Sequence, residues 1–562
     1  MQRPSRTARA RGRRVAVALA ALTLAGCDDV GRVLKSAFHL AKDDGARELR
    51  PHAERRATRD RPGLLVLAVD GVPRAVLYRL LRGGELPGFA RLLGGEGDGH
   101  ALPHAHLDET LTATLPSSTL AAWATTFTGA SPARHGVSGN EFFMREARRF
   151  IAPVPVSVES DAHVLETQSD SLVDHLLGAP TVYQQMRAQE PRAVIWVALS
   201  QVHGGADRFL LPDRSVLVEA LTAHLRELSG EARGYAAYAQ LDQAVLQNVT
   251  EDISRLGAPD VLTVYLVGTD LYAHEAVGGP HDAIARYLRE VLDPRVGALA
   301  DSLDHARALD HRYVVVVADH GHTEVVRDDR HSLGTDGDDE PAAALRGAGF
   351  TVRPFELTVD DDARFDAVLA YQGAMAYVYL ADRSRCPDGS PCDWSAPPRY
   401  REDVVAAAEA FHRANQGEGP PALRGALDMI FVREPVAQAE VDRPFEVYLG
   451  GGAPCRSRAS SASTRGPRTS TSRRGCAGSP WARSESARAT WCCSRTTATA
   501  TAPRTASTSP TSTARGTAAP RAKTPTCRSS SRTAAATRRS SRRSPGAPWA
   551  GPPTPPRTRS PT

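Results

Sequence analysis

Three runs of apolar residues, far apart in the chain, each stop at an aspartate. Leu64–Val69 (LLVLAV) runs into Asp70-Gly71, Val261–Val267 (VLTVYLV) into Gly268-Thr269-Asp270, and Tyr313–Ala318 (YVVVVA) into Asp319-His320-Gly321. Unbroken apolar runs of this length fit strands buried on both faces, the habit of parallel sheets. Stretches of helical period lie at 75–94, 120–127, 234–256, 283–309 and 402–415, and further strands are expected at Ala193–Leu199 and 375–381. Strands alternating with helices predict an α/β fold with a mainly parallel central sheet and helices on both faces. Ligands of such sheets gather at the carboxyl ends of the strands, where all three acids stand.

An aspartate after a strand is usually a turn or cap residue, but two of these three bring imidazoles. Asp270 and His274 are four residues apart and share a face if the segment is helical. Asp319 and His320 are adjacent. Carboxylate oxygen and imidazole nitrogen are the standard non-thiolate ligands of zinc. A hydroxyl joins them. Thr119 ends the LPSST sequence of residues 115–119 and precedes the apolar helical run Leu120–Phe127. Backbone N–H groups and the macrodipole at a helix start favour an anion there, and the same place suits a plain N-cap. Three acids, two histidines and a hydroxyl at one sheet edge predict a metal-assisted transfer site.

With these residues assembled, the chain resembles the alkaline phosphatase superfamily, and within it the type I phosphodiesterase/nucleotide pyrophosphatase-like proteins. The likeness covers about residues 61–450. It rests on Val69-Asp70-Gly71, LPSST, Thr128-Gly129, Pro132–Asn140 (PARHGVSGN), Asp270 with His274, and ADHGH at 318–322, in that order and spacing. The resemblance implies two zinc ions. Asp70, Thr119, Asp319 and His320 would hold one; Asp270 and His274 would hold the other, with a third histidine from near the C-terminus. It also implies a hydrolase of phosphodiester or phosphoanhydride bonds acting through a phospho-threonine intermediate on a small phosphate ester. Ser117 and Ser118 are rival hydroxyls; spacing back from Thr128-Gly129 selects Thr119. Thr119 does not stand in the C/S-x-P-x-R sequence that a sulfatase needs around its nucleophile, and Thr cannot be converted to formylglycine. One departure is local: the family's Asn three residues after the nucleophile is Ala122 here, which removes a donor to phosphate. A scaffold retained for binding without catalysis is the competing reading.

The ends are of another character. Six arginines between Arg3 and Arg14 precede an apolar stretch, Val15–Ala25, too short for a comfortable membrane span. It ends in Leu24-Ala25-Gly26-Cys27, which resembles a bacterial lipobox. Residues 1–27 are therefore expected to be a lipoprotein signal with Cys27 lipidated, 28–60 a tether, and the protein anchored to an envelope membrane, facing the periplasm or exterior. Of eight cysteines, Cys386 and Cys392 flank a turn in the expected catalytic domain, 61–452, where export permits a disulfide. The formal charge of +5 divides unevenly: 456–562 carries a net of +20, leaving −15 on 1–455. An acidic body argues against nucleic-acid binding.

The tail, 453–562, is rich in Ser, Thr, Arg and Pro. From Arg456 onward it has no Val, Ile, Leu, Met, Phe, Tyr, Asp or His. Such a stretch builds no core and is expected to be disordered. The missing residue types are those that a reading-frame shift near 453–456 would hide. Reread with GC-rich codons, Ala489–Thr501 becomes an apolar strand followed by a Gly-rich loop, and Arg515–Ala519 permits a His-Gly. All 18 histidines lie at or before His412, so the expected C-terminal ligand is missing. His322 and His331 are available substitutes but are expected to serve the loop after Asp319. Lost strands should also leave apolar faces and a sheet edge unpaired.

Overall fold

The computed structural model describes residues 47–49, 62–95, 102–154, 171–213, 215–217, 219–220, 235–276, 278–324, 341–354, 364–386, 391–435, 441–451 and 454–455. All of them fall in Met1–Thr499. The signal segment with Cys27, His331 and the tail from Arg456 lie outside the described residues. No helix among the described residues is long and apolar enough to cross a membrane.

Six strands form the central sheet: β1 (Arg47–Glu48), β2 (Gly63–Val69), β3 (Ile195–Ala198), β4 (Arg208–Leu210), β5 (Val261–Leu266) and β6 (Arg312–Val317). Their spatial order is β1-β4-β3-β5-β2-β6. Every pairing is parallel except that of β1 with β4. The expected α/β architecture with a mainly parallel sheet is therefore the observed one. The central strands are apolar throughout because both faces are covered: every residue of β5 and β3 is buried. The main core gathers their side chains with those of α1 (Arg74–Arg82), α2 (Pro87–Leu92), α3 (Thr119–Thr128), α4 (Val182–Gln189) and α5 (Ala236–Leu256).

β6 departs from the expectation of burial on both faces. Among the described residues it has one neighbour, β2, and its residues alternate, with Tyr313 69% and Val315 43% exposed. Their partners across the ladder, Leu64 and Val66, are only partly buried. An apolar face at an edge strand is the arrangement that folded proteins usually cover.

Other differences have local causes. The single helix expected at 75–94 is two, because Gly83-Gly84 ends α1 and Pro87 opens α2. The helical stretch at 283–309 begins at Pro280 and passes through a π-turn, Leu288–Leu292, before Asp293–His305. Proline at 294 supplies no N–H, so the ladder is locally re-registered there. The strand expected at 375–381 forms, as Ala376–Leu380, but pairs antiparallel with Ala367–Tyr371 away from the central sheet. That hairpin packs with Ala406–Gln416 into a smaller apolar cluster. Cys386 and Cys392 are joined as a disulfide.

Candidate active site

The strand order builds the site. β5, β2 and β6 are neighbours, so the residues after their carboxyl ends meet although Asp70 and Asp319 are 249 positions apart. Asp70 follows β2 directly and is fully buried. Asp319 follows β6 and is 3% exposed. Asp270 lies in the first turn of α6 (Gly268–Glu275), the helix that starts where β5 ends, with His274 one turn on.

The start of α6 is tied to the core by Asp242, a fully buried residue of α5. Its carboxyl accepts from the N–H groups of Val267 and Gly268 and from the Tyr287 hydroxyl. Position 268 has no room for a side chain: a Cβ there would sit 2.0 Å from Tyr287 Oη and 2.5 Å from Asp242 Oδ2. The helix carrying Asp270 and His274 is thus held at its first turn.

Thr119 is the first residue of α3 and is 8% exposed. Ser118 occupies the N-cap with extended backbone, but its side chain makes no capping bond. The cap comes from elsewhere: Asn140 Oδ1 accepts from the N–H of Leu120 at 2.9 Å. The Thr119 hydroxyl is therefore not spent on its own helix. Its Oγ1 lies 3.3 Å from His320 Nε2. His320 Nδ1 is 3.1 Å from the Gly321 carbonyl oxygen, which can only accept, so Nδ1 carries the proton of that bond. Nε2 then faces Thr119, Asp319 Oδ2 at 3.3 Å and Asp70 Oδ1 at 3.7 Å.

The ligating atoms form two groups, each with its members within 4.8 Å of one another: Asp70, Asp319 and His320 in one, Asp270, His274 and His322 in the other. His322, an available substitute expected to serve its loop, brings its ring to Asp270 and His274. Its Nε2 is 2.9 Å from Asp270 Oδ1, and its ring lies edge-on to that of His274 at 4.9 Å. Gly71 sits between the groups with φ +69°. Its N–H donates to Asp319 Oδ1, and a Cβ would come within 2.6 Å of Asp270 Oδ1 and 2.8 Å of His322 Nε2.

The electrostatics of the bare side chains are unfavourable. Burial, and then the charges of Asp319 and Asp270, push the Asp70 carboxyl well above its ordinary pKa. Burial likewise raises Asp319. Burial works against the ionised Asp270 too, but His274 and His322 outweigh it and hold the carboxyl below its usual range. His320 is raised: its burial opposes the charge, and Asp319 and Asp270 overcome that. Four buried atoms of these two groups have no hydrogen-bond partner among the described residues: Asp70 Oδ1, Asp319 Oδ2, Asp270 Oδ1 and His322 Nε2. Orphaned acceptors normally cost a fold dearly. Carboxylate and imidazole atoms left without partners in two converging sets fit divalent cations of the zinc class.

Two contributors carried weak sequence signals. Tyr265 is the lone hydroxyl-bearing aromatic in an apolar strand, and its O–H donates to Asp70 Oδ2. Asn140 closes the PARHGVSGN motif. Ala122, by contrast, is 3% exposed inside the helix, a buried methyl with no donor to offer.

A profile of the type I phosphodiesterase/nucleotide pyrophosphatase family matches residues 64–388, more than half of the chain. No curated protein matches. Among solved structures, murine ectonucleotide pyrophosphatase/phosphodiesterase 5 is similar, both alone and as an inactive threonine-to-alanine form in complex with AMP. Each is 15% identical with a TM-score of 0.32, over 48% of this chain and 63% of the other. The chain thus spans less than two thirds of the length of those structures. On the extent of the profile match, with the strand-end acids and the Thr119 helix inside it, the chain belongs to the type I phosphodiesterase/nucleotide pyrophosphatase family.

Proposed function

We propose that the protein is a metal-dependent hydrolase of phosphodiester or phosphoanhydride bonds in small phosphate esters, with Thr119 as nucleophile. The observation that carries this reading is the Thr119 hydroxyl: free of capping duty, 3.3 Å from His320 Nε2, and beside the orphaned oxygens of Asp70 and Asp319. Asp70, Thr119, Asp319 and His320 would hold one zinc ion, and Asp270 with His274 would contribute to a second. When bound, the ions lower the pKa of a coordinated hydroxyl and offset the charge that develops on phosphoryl and leaving oxygens.

The chain's own groups supply the rest. The Thr119 hydroxyl gives its proton to solvent and its oxygen forms a bond to phosphorus as the bond from phosphorus to the leaving oxygen breaks; the leaving oxygen takes a proton from water. Water then displaces the Thr119 oxygen, which regains its proton, and the phosphate product leaves. The start of α3 orients backbone N–H groups toward the phosphoryl group. The Asn140 carboxamide is anchored through its oxygen on Leu120 N–H, which leaves its NH2 as a donor for a non-bridging oxygen, the role the family gives to the position of Ala122. The Tyr265 hydroxyl and the Gly71 N–H each fix one carboxylate oxygen, so the other oxygen of Asp70 and of Asp319 stays turned to the site. Envelope anchoring through Cys27 is part of the same proposal and rests on residues 1–27 of the sequence.

The test is turnover of a chromogenic phosphodiester by the full chain supplied with zinc. Turnover that disappears on chelation and in Thr119→Ala supports the reading. A folded, metal-loaded protein without turnover, or a Thr119→Ala variant as active as the parent, overturns it and favours the binding scaffold.

A further inference from the structure

We infer that His322 is the third protein ligand of the second metal centre, in the place that the family fills with a histidine from near the C-terminus. This rests on the two-metal reading above and concerns which residues of this chain complete it. No histidine follows His412, so the expected ligand has no source in the sequence. Asp270 and His274 alone fall short of the three protein ligands usual for catalytic zinc.

The spacing around His322 is that of side chains that can share one ion. Its Nε2 and Asp270 Oδ1 are 2.9 Å apart, and His274 Nε2 is 3.4 Å from Asp270 Oδ2. Two ligands on one tetrahedral zinc, with bonds of about 2.0–2.1 Å, lie about 3.3 Å apart. A hydrogen bond would explain 2.9 Å equally well, but neither His322 Nε2 nor Asp270 Oδ1 has a hydrogen-bond partner. Both are aimed into a common space that Gly71 keeps open, since a Cβ at 71 would reach both. The main chain is fixed as well: His281 Nε2 donates to the His322 carbonyl oxygen at 2.8 Å.

The centre so formed has two sheltered ligands and one open one. The side chains of Asp270 and His322 are each 11% exposed, that of His274 65%. Its open side faces solvent, where water or a leaving group can enter. The carboxylate and imidazole ligands of both centres are then all residues that follow three adjacent strands.

Affinity alone does not separate a ligand from a supporting side chain, because loss of a supporting hydrogen bond already weakens binding about 10–100-fold. The deciding measurement is proton NMR of the full chain loaded with Co2+, counting histidines whose ring resonances are shifted by the paramagnetic ion, with bound metal measured by elemental analysis. Two bound ions with His274, His320 and His322 all shifted are expected. His322→Gln should remove one histidine from the set and weaken the second equivalent at least about 100-fold, leaving the first within about twofold. Two bound ions with only His274 and His320 shifted overturn the role of His322 and leave the two-metal reading standing. A single bound ion at saturating Co2+ overturns the two-metal reading itself. The wild-type count decides even if the variant fails to fold.

Discussion

Asp242 gives the structure a pH dependence that can be measured apart from the site it supports. Its carboxyl is fully buried, and desolvation pushes its pKa up to about 7 from the ordinary 3.8. The N–H groups of Val267 and Gly268 and the Tyr287 hydroxyl pull the other way and do not cancel the burial. An acid whose pKa is higher in the fold than in the unfolded chain binds its proton more tightly when folded. Its contribution to stability is complete below the unfolded pKa and is lost as pH rises through the folded one. The interval from 3.8 to about 7 corresponds to about 4 kcal/mol at 1.36 kcal/mol per pH unit. Asp242→Asn mimics the protonated acid: its oxygen can accept from the two N–H groups and its NH2 can donate to Tyr287 Oη. Other titrating groups are common to both proteins, so the difference between them isolates this one. Urea unfolding midpoints of the two proteins, measured from pH 5 to pH 8, should diverge steadily in favour of Asp242→Asn, by a few kcal/mol over the range. A difference that does not change with pH would refute the claim that burial outweighs the three donors.

Further expectations bear on the site and on the sheet edge. Gly71→Ala places a methyl within 2.8 Å of both Asp270 Oδ1 and His322 Nε2 at a positive φ. It should lower metal content, read by elemental analysis, toward one ion per chain while far-UV circular dichroism stays unchanged. Asn140→Ala removes the cap on Leu120 and, with it, the donor proposed for phosphate. It should lower kcat by about 10²–10³ and stability by about 1 kcal/mol, read by phosphodiester turnover and urea denaturation. Tyr313→Lys alters a side chain that is 69% exposed, so its stability should change by less than about 0.5 kcal/mol. Light scattering should show less self-association, because charge on an edge strand discourages pairing with another copy.

The sequence made the sheet legible because its centre is monotonous. Runs such as LLVLAV and VLTVYLV admit few fates, and the aspartates that end them mark the edge where ligands gather. Thr119 was legible through its place before an apolar helix. What escaped was whatever depends on contacts between distant segments. Nothing local says that the carboxamide of Asn140 caps a helix 20 residues earlier, or that the hydroxyl of Tyr265 answers Asp70 from the adjoining strand. Burial of β6 was misread because YVVVVA matches a central strand in composition, while exposure is decided by who sits next to it. The place of His322 stayed open for a similar reason: two residues beyond His320 it looks like loop, and only the shape of the turn sends its ring to Asp270.

The position of β6 has a mechanical consequence. Among the described residues this strand is held by a single ladder, to β2, and the chain leaving it carries Asp319 and His320. A cation shared by Asp70 and Asp319 would therefore act as a clasp, riveting the last strand to its neighbour at one end. Removing it would let that end peel first, so loss of metal and loosening of the sheet margin would be one event. Hydrogen exchange along 312–317 would record how firmly the clasp is closed.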